Sequence, residues 1–173
     1  MKITVNDKQL ETKFNFKSID EWYKQFANLK TNEDLFDNIF TGLIVNNPMA
    51  LAKTLYGGLA YLKKDMPAFD VFFDALSDYE ATLDDVNVLF AETLAELNAS
   101  GFFGLQLQAW KKQLESYKNQ SETALKQLQE PKRPTKEEKD DYDKKHDQLV
   151  DLQKSTENVL TALKAKLSTT DNG

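Results

Sequence analysis

The chain has 173 residues, of which 40% are hydrophobic and 29% charged, so a globular core must coexist with a very polar portion. It contains no cysteine, which excludes disulfides and thiolate metal sites within the chain. Its net charge is −6 and Arg133 is its only arginine, which argues against nucleic-acid binding because arginine makes most bidentate phosphate and guanine contacts. No apolar stretch approaches the roughly 20 residues of a membrane span, and no secretory signal is recognised.

The N-terminal residues predict a small β-hairpin followed by a helix. Residues 2–5 and 12–16 alternate apolar and polar side chains, and Asn6-Asp7-Lys8 provides the turn. Ser18 and Glu21 then form a capping box, which predicts the start of a helix with an aromatic stripe. Thr31-Asn32 ends this helix, and a second apolar helix follows from Glu33.

Residues 47–65 predict a central core helix. Asn47 can cap it and Pro48 suits its first position, while nearly every side chain up to Leu62 is apolar or small. Gly57 and Gly58 would each cost about 1 kcal/mol in a helix interior, so we expect another helix to approach closely there. The alternative interpretation is that part of this helix contacts a partner chain.

Two further helices are predicted before residue 100. Met66-Pro67 starts the first, which carries Phe69, Phe72, Phe73 and Leu76. The second runs from Asp78 to Ala99, with Leu83, Val86, Leu89, Phe90, Thr93, Leu94 and Leu97 directed inward and Asp84, Asp85, Glu92 and Glu96 outward. The exposed acids are typical of a solvated face, but they could also attract a basic partner.

The composition changes at Ser100–Gly104, which predicts a domain edge. Residues 1–104 contain nine lysines and sixteen acidic residues, whereas residues 105–173 contain thirteen basic and twelve acidic residues. We expect a helical domain with a β-hairpin over 1–104, a C-terminal helical hairpin over 105–168 with a break near 131–134, and a disordered tail over 169–173. The overall prediction is a mainly α fold.

Two thin apolar stripes predict the coiled-coil-like hairpin. The first contains Leu107, Trp110, Leu114, Tyr117, Ser121, Leu125 and Leu128, and the second contains Tyr142, Leu149, Leu152, Val159, Leu163 and Leu167. A single helix with so narrow a stripe would be marginal. The two helices should therefore pack against each other or against another chain.

No residue pattern predicts catalysis. His146 is the only histidine and lies in a run of charged residues, so neither a histidine-based zinc site nor a cysteine–histidine pair can form within the chain. Nucleotide-binding glycine loops and nucleophile elbows are absent. We therefore expect no enzyme activity, no cofactor and no metal.

Three segments resemble, in order, a family of tail assembly chaperones from long-tailed phages of Gram-positive bacteria. They are MKITVNDKQLETKFNFKSIDEW at the start, NPMALAKTLYGGLAYLKKDMP in the centre and VNVLFAETLAELNASGFFG near residue 100. The resemblance spans residues 1–104, and the polar tail from Lys111 is longer than the family pattern.

The resemblance implies a non-enzymatic chaperone that self-associates and binds the tail tape measure protein, with the tail tube protein as a further partner. It would act in the host cytoplasm and be absent from the mature virion, without binding nucleic acid or membrane. The alternatives are a structural tail or connector component of the virion, or a helical protein–protein adaptor. Our candidate partner-binding residues are the aromatic side chains Phe69, Phe72, Phe73, Phe102 and Phe103.

Overall fold

A computed structural model of the protein describes residues 1–27 and 29–169, and confirms a mainly α fold with an N-terminal hairpin. Residues 170–173, which belong to the predicted disordered tail, lie outside the described residues. The elements are β1 (Lys2–Val5), β2 (Lys8–Glu11), α1 (Phe16–Gln25), α2 (Asn32–Ile44), α3 (Pro48–Gly57), a 3₁₀ helix (Ala60–Asp65), α4 (Phe69–Glu80), α5 (Asn87–Ala99), α6 (Gly101–Gln127) and α7 (Lys136–Thr169). The described residues form two compact units. The first contains residues 1–108 and 165–169, and the second contains Ala109–Lys164.

The hairpin is shorter than predicted. β1 and β2 are antiparallel, with Lys2 opposite Glu11 and Val5 opposite Lys8. Asn6 and Asp7 both have positive φ, 48° and 61°, which is the backbone of a two-residue hairpin turn. This tight turn requires the partner strand to begin at Lys8, so the prediction of a second strand at 12–16 was wrong.

The first helix begins before its predicted cap. Asn15 is the N-cap, and its side chain accepts a hydrogen bond from the Lys17 backbone N–H at 2.9 Å. Ser18, predicted as the cap, completes the box by accepting from the Asn15 N–H at 3.2 Å. The capping box is therefore shifted by three residues, and Phe16 occupies the first helical position.

Helix α3 is the centre of the first unit, because it contacts α1, α2, α4 and α5. Its predicted start is confirmed: the Asn47 side chain accepts from the backbone N–H groups of Met49 and Ala50 at 3.0 and 3.1 Å. Its predicted length was wrong. The α-helix ends at Gly57, and a 3₁₀ helix follows in which Lys63 has φ 57° and ψ −118°.

The close approach expected at the glycine pair is confirmed at Gly57. A Cβ atom there would lie 2.0 Å from Nε1 of Trp22, far inside van der Waals contact. The Trp22 indole is fully buried, and its N–H donates to the Thr54 carbonyl at 3.0 Å. The absent side chain thus allows α1 to lay a tryptophan directly on α3.

The predicted helix over 78–99 is divided between two elements. α4 continues to Glu80, and α5 begins only at Asn87, whose backbone N–H donates to the Asp85 side chain at 2.9 Å. Val86 was predicted inward but is 38% exposed, because it precedes the helix. The inward residues from Leu89 to Leu97 are confirmed as buried.

One predicted outward acid is held within the first unit. Glu96 is half-buried, and its carboxylate accepts a hydrogen bond from the Thr12 hydroxyl at 3.1 Å. The amino group of Met1 binds the same carboxylate. These contacts join the end of the hairpin to α5, so Glu96 is not a solvated side chain.

In the second unit, α6 and α7 are antiparallel, which confirms the predicted helical hairpin. Lys118 pairs with Glu157 at 3.0 Å, and Gln153 donates to Glu122 at 3.4 Å. The predicted stripes are partly wrong, since Tyr117 and Leu152 are 42% and 45% exposed. Ser121, a member of the first predicted stripe, is buried, and so is Thr156, which was in neither stripe. The two hydroxyls donate to the carbonyls of Lys118 and Leu152, each within its own helix.

Candidate interaction surfaces

The five aromatic residues predicted to bind a partner fall into two separate clusters. Phe69, Phe72 and Phe73 lie on α4, and Phe102 and Phe103 lie at the start of α6. Phe72 and Phe103 are buried in the core of the first unit, whereas the other three are half-buried. The three half-buried rings are the ones that a partner can reach without unfolding the core.

The α4 cluster is anchored on Tyr56 of α3. The Tyr56 ring lies 5.1 Å from that of Phe69 and 5.6 Å from that of Phe72, and Phe69 lies 6.0 Å from Phe73. The Tyr56 hydroxyl donates to the Pro67 carbonyl at 2.8 Å, and burial raises the pKa of this phenol above its usual value. The tyrosine therefore fixes the start of α4 and the orientation of both phenylalanine rings.

A row of exposed acids lies beside these rings. Asp70, Asp74 and Asp78 are spaced four residues apart on α4, so they share one helix face. Within residues 1–27 and 29–169, none of the three forms an ion pair. A negative row beside half-buried aromatic rings is suited to an amphipathic helix with basic residues.

The α6 cluster joins the core to an exposed ring. Phe103 packs at 5.1 Å from Trp22, and Phe102 lies 6.2 Å from the buried Phe36. The outer face of Phe102 contacts Phe16, whose ring centre is 5.0 Å away. The two rings form a continuous aromatic surface at the starts of α1 and α6.

Sequence reasoning missed the two most exposed members of this region. Phe16 is 69% exposed and Leu105 is 70% exposed. Phe16 was placed in the predicted strand over residues 12–16, and Leu105 was outside both predicted stripes. Recognising Asn15 as a helix cap would have placed Phe16 on the first turn of α1 and revealed its exposure.

A further exposed area, partly apolar and partly polar, lies where α1, α2 and α3 meet. Val45 and Met49 are 60% and 42% exposed and border an open groove of about 360 Å³. The Lys53 ammonium lies 5.3 Å above the Phe26 ring on the wall of this groove. The groove is therefore lined by both apolar and charged groups.

No arrangement of metal-binding side chains occurs in the described chain: no three His, Cys, Asp or Glu residues are placed to hold an ion. His146 is partly exposed, with Nδ1 3.4 Å from the Asp147 carboxylate. In the same described ranges, no helix has the length and apolar character needed to cross a membrane.

The helical core and its exposed aromatic and acidic surfaces define a mainly α protein equipped for contacts with other proteins. A protein-family sequence model, described as phage tail assembly chaperone protein, TAC, matches residues 2–112. The match covers more than half of the 173-residue chain. The chain therefore belongs to the phage tail assembly chaperone family, as its three resembling segments predicted. No curated protein and no solved structure gives a significant match.

Proposed function

We propose that this chain is a non-enzymatic chaperone that binds the tail tape measure protein, keeps it soluble and helps to recruit tail tube subunits during tail assembly. The observation that carries the proposal is the family match over residues 2–112, which includes both aromatic clusters and the acidic row on α4. A tape measure protein is a long helical chain with apolar faces, and such faces aggregate when they are left uncovered.

The proposed client-binding side chains are Phe69 and Phe73 on α4 and Phe102 with its neighbour Phe16. Aromatic rings supply the apolar contact, and Asp70 and Asp74 supply attraction for basic residues of the client helix. Tube subunits have to displace the chaperone, so each contact should be weak. Several chaperone copies along one client would together bind tightly, and self-association would support that arrangement.

We propose that residues 1–104 form the chaperone domain and residues 105–168 an accessory helical hairpin, with the break near 131–134. Helices α2 and α3 contain twelve buried residues besides glycine, and all of them lie within residues 1–104, so this segment has a core of its own. Deleting residues 131–173 should therefore leave a cooperative thermal transition. Loss of that transition in circular dichroism would contradict the assignment.

Co-expression with the tape measure protein of the same phage tests the proposed function. The chain should move most of the tape measure protein from the pellet to the soluble fraction. A tape measure protein that is equally soluble with and without the chain would contradict the proposal. We place the protein in the host cytoplasm and outside the finished particle, so mass spectrometry of purified virions should find it absent or scarce compared with the tail tube protein.

A further inference from the structure

The last turn of α7 lies on a surface formed by the end of α2 and the start of α5. Both belong to the first unit, which includes the chain from Ala165. We call this the α2–α5 surface, and its residues are Asn46, Asp85, Asn87, Val88, Phe90 and Ala91. The turn that lies on it consists of residues 165–168.

Lys166 makes the central contact of this turn. Its ammonium group donates to the Asn46 side-chain oxygen and lies 5.4 Å above the Phe90 ring. The Asp85 carboxylate attracts the ammonium through space. Burial lowers the pKa of Lys166, so desolvation outweighs that attraction. An amide oxygen and the face of an aromatic ring both favour a cation at this position.

Hydrogen bonds within the α2–α5 surface orient the Asn46 oxygen that accepts from the lysine. Asn46 has a left-handed backbone, with φ 56°, and its side-chain N–H₂ donates to the Asn87 side-chain oxygen at 2.8 Å. Asn87 is in turn bound to Asp85 through its own side-chain N–H₂, at 2.8 Å. This chain of amides and a carboxylate directs the Asn46 oxygen toward the lysine.

The chain's own turn does not fill the surface. An open cleft of about 210 Å³ remains, bordered by Val88, Ala91, Ala165 and Lys166. Val88 is 45% exposed beside it. Alanine at position 165 therefore leaves room for a larger apolar side chain next to the lysine, and a helix with such a residue would bury more apolar area there.

We propose that the α2–α5 surface is a docking site for a lysine-bearing helical turn, and that residues 165–168 occupy it as a weak internal latch. The occupant that displaces the latch is a client helix that carries a large apolar residue immediately before its lysine. This part of the inference rests on the proposed function. The terminal turn of a helix frays at low cost, so release needs no unfolding of the core.

A fluorescein-labelled peptide of residues 156–169 is the probe for the site, and the full-length chain is the receptor. In the wild type the latch competes with the peptide. In Lys166→Glu the latch is repelled by Asp85, and the peptide should bind about tenfold more tightly, because a site open one-tenth of the time loses about tenfold in apparent affinity. A peptide carrying Ala165→Leu should bind more tightly than the unchanged peptide.

Lys164→Glu is the matched control, since it makes the same charge change two residues away at an exposed position. It should bind the peptide as the wild type does. Asn46→Gly keeps the left-handed backbone and removes the oxygen that accepts from Lys166. Combined with Lys166→Glu, it should abolish the gain in peptide binding. Melting curves of every variant establish that each is folded.

Equal peptide affinity in the wild type and Lys166→Glu would overturn the latch, and so would an equal gain in Lys164→Glu. Tape measure segments are then titrated against the same variants. If Lys166→Glu binds the peptide more tightly but the tape measure protein equally, the surface is not a client site and that part of the inference is wrong. If no variant binds the tape measure protein at all, the proposed function fails, while the peptide result still decides the latch.

Discussion

The contact between Trp22 and Gly57 gives the most quantitative prediction for the core. In Gly57→Ala, the new methyl group would start 2.0 Å from Nε1 and 2.3 Å from Cδ1 of Trp22. The indole must move by more than 1 Å to restore ordinary contact of about 3.4 Å. It is fully buried and rigid aromatic rings cannot yield locally, so the displacement is transmitted to α1.

Two costs follow from this displacement. Overpacking costs about 1–3 kcal/mol. Breaking the 3.0 Å bond from the indole N–H to the Thr54 carbonyl leaves a buried donor unpaired, which costs about 1–3 kcal/mol more. The better helix propensity of alanine returns up to about 1 kcal/mol. We expect a loss of about 1–5 kcal/mol in the free energy of unfolding.

Thermal and urea denaturation followed by circular dichroism measure this loss. For a chain of this size, the melting temperature should fall by roughly 2–4 °C for each kcal/mol that is lost. Gly101→Ala is the matched control, because no atom lies within 4 Å of a Cβ at Gly101, and it should be neutral or slightly stabilising.

A double-mutant cycle isolates the contact itself. In a Trp22→Phe background the Nε1 atom is absent, so Gly57→Ala should cost at least about 1 kcal/mol less than in the wild type. If Gly57→Ala is as stable as Gly101→Ala, or if its cost is unchanged by Trp22→Phe, then α1 and α3 do not pack through this contact.

Three further predictions concern a cap, an ion pair and the client surface. The Asp34 carboxylate accepts hydrogen bonds from the backbone N–H groups of Lys30 and Thr31, and these bonds lower its pKa. The ionised carboxylate therefore stabilises the fold above its usual pKa of 3.8, and this stabilisation is lost as the pH falls below that value. The melting temperature of Asp34→Asn should therefore lie below that of the wild type at pH 6 and approach it near pH 2. Lys118→Glu should lower the stability of the helical hairpin only slightly, because exposed ion pairs contribute little, and adding Glu157→Lys should restore it. No restoration in denaturation experiments would contradict the α6–α7 register. Phe102→Ser should weaken binding to the tape measure protein by about tenfold in titrations of the purified proteins, because aromatic contacts at interface centres contribute most of the affinity. An unchanged affinity would show that the tape measure protein does not bind at Phe102.

Local sequence signals predicted the helix starts that depend on a few adjacent residues. Asn47-Pro48 specifies the start of α3 through a side-chain cap and a fixed φ, and neither needs tertiary information. Thr31 and Asp34 likewise form a reciprocal box at the start of α2, where the predicted break lies.

Element lengths could not be predicted where tertiary contacts decide them. Residues 58–65 are apolar enough to continue α3, but the chain leaves the α-helix at Gly58, whose carbonyl accepts from the Lys13 backbone N–H at 2.8 Å. That hydrogen bond comes from a segment more than forty residues earlier. The second strand was misplaced even though local information was sufficient to place it. The alternation of Phe14 and Phe16 was read as a strand, but the two-residue turn pairs β1 with the residues that start at Lys8.

The aromatic clusters were predicted only in part, because composition does not determine exposure. Phe72 and Phe103 are as apolar as their neighbours Phe73 and Phe102, yet only the first two are in the core. Which of two adjacent rings faces outward depends on how α4 and α6 are rotated about their axes. That rotation is set by packing against Tyr56 and Trp22, which are distant in the sequence.

Size-exclusion chromatography with light scattering measures whether this family member binds the tape measure protein. The two proteins are co-expressed, purified through a tag on the tape measure protein, and analysed for mass and stoichiometry. We predict a single soluble complex in which several copies of this chain accompany each tape measure molecule. Elution of the two proteins as separate species, each with the mass it has alone, would show that the chain does not bind the tape measure protein.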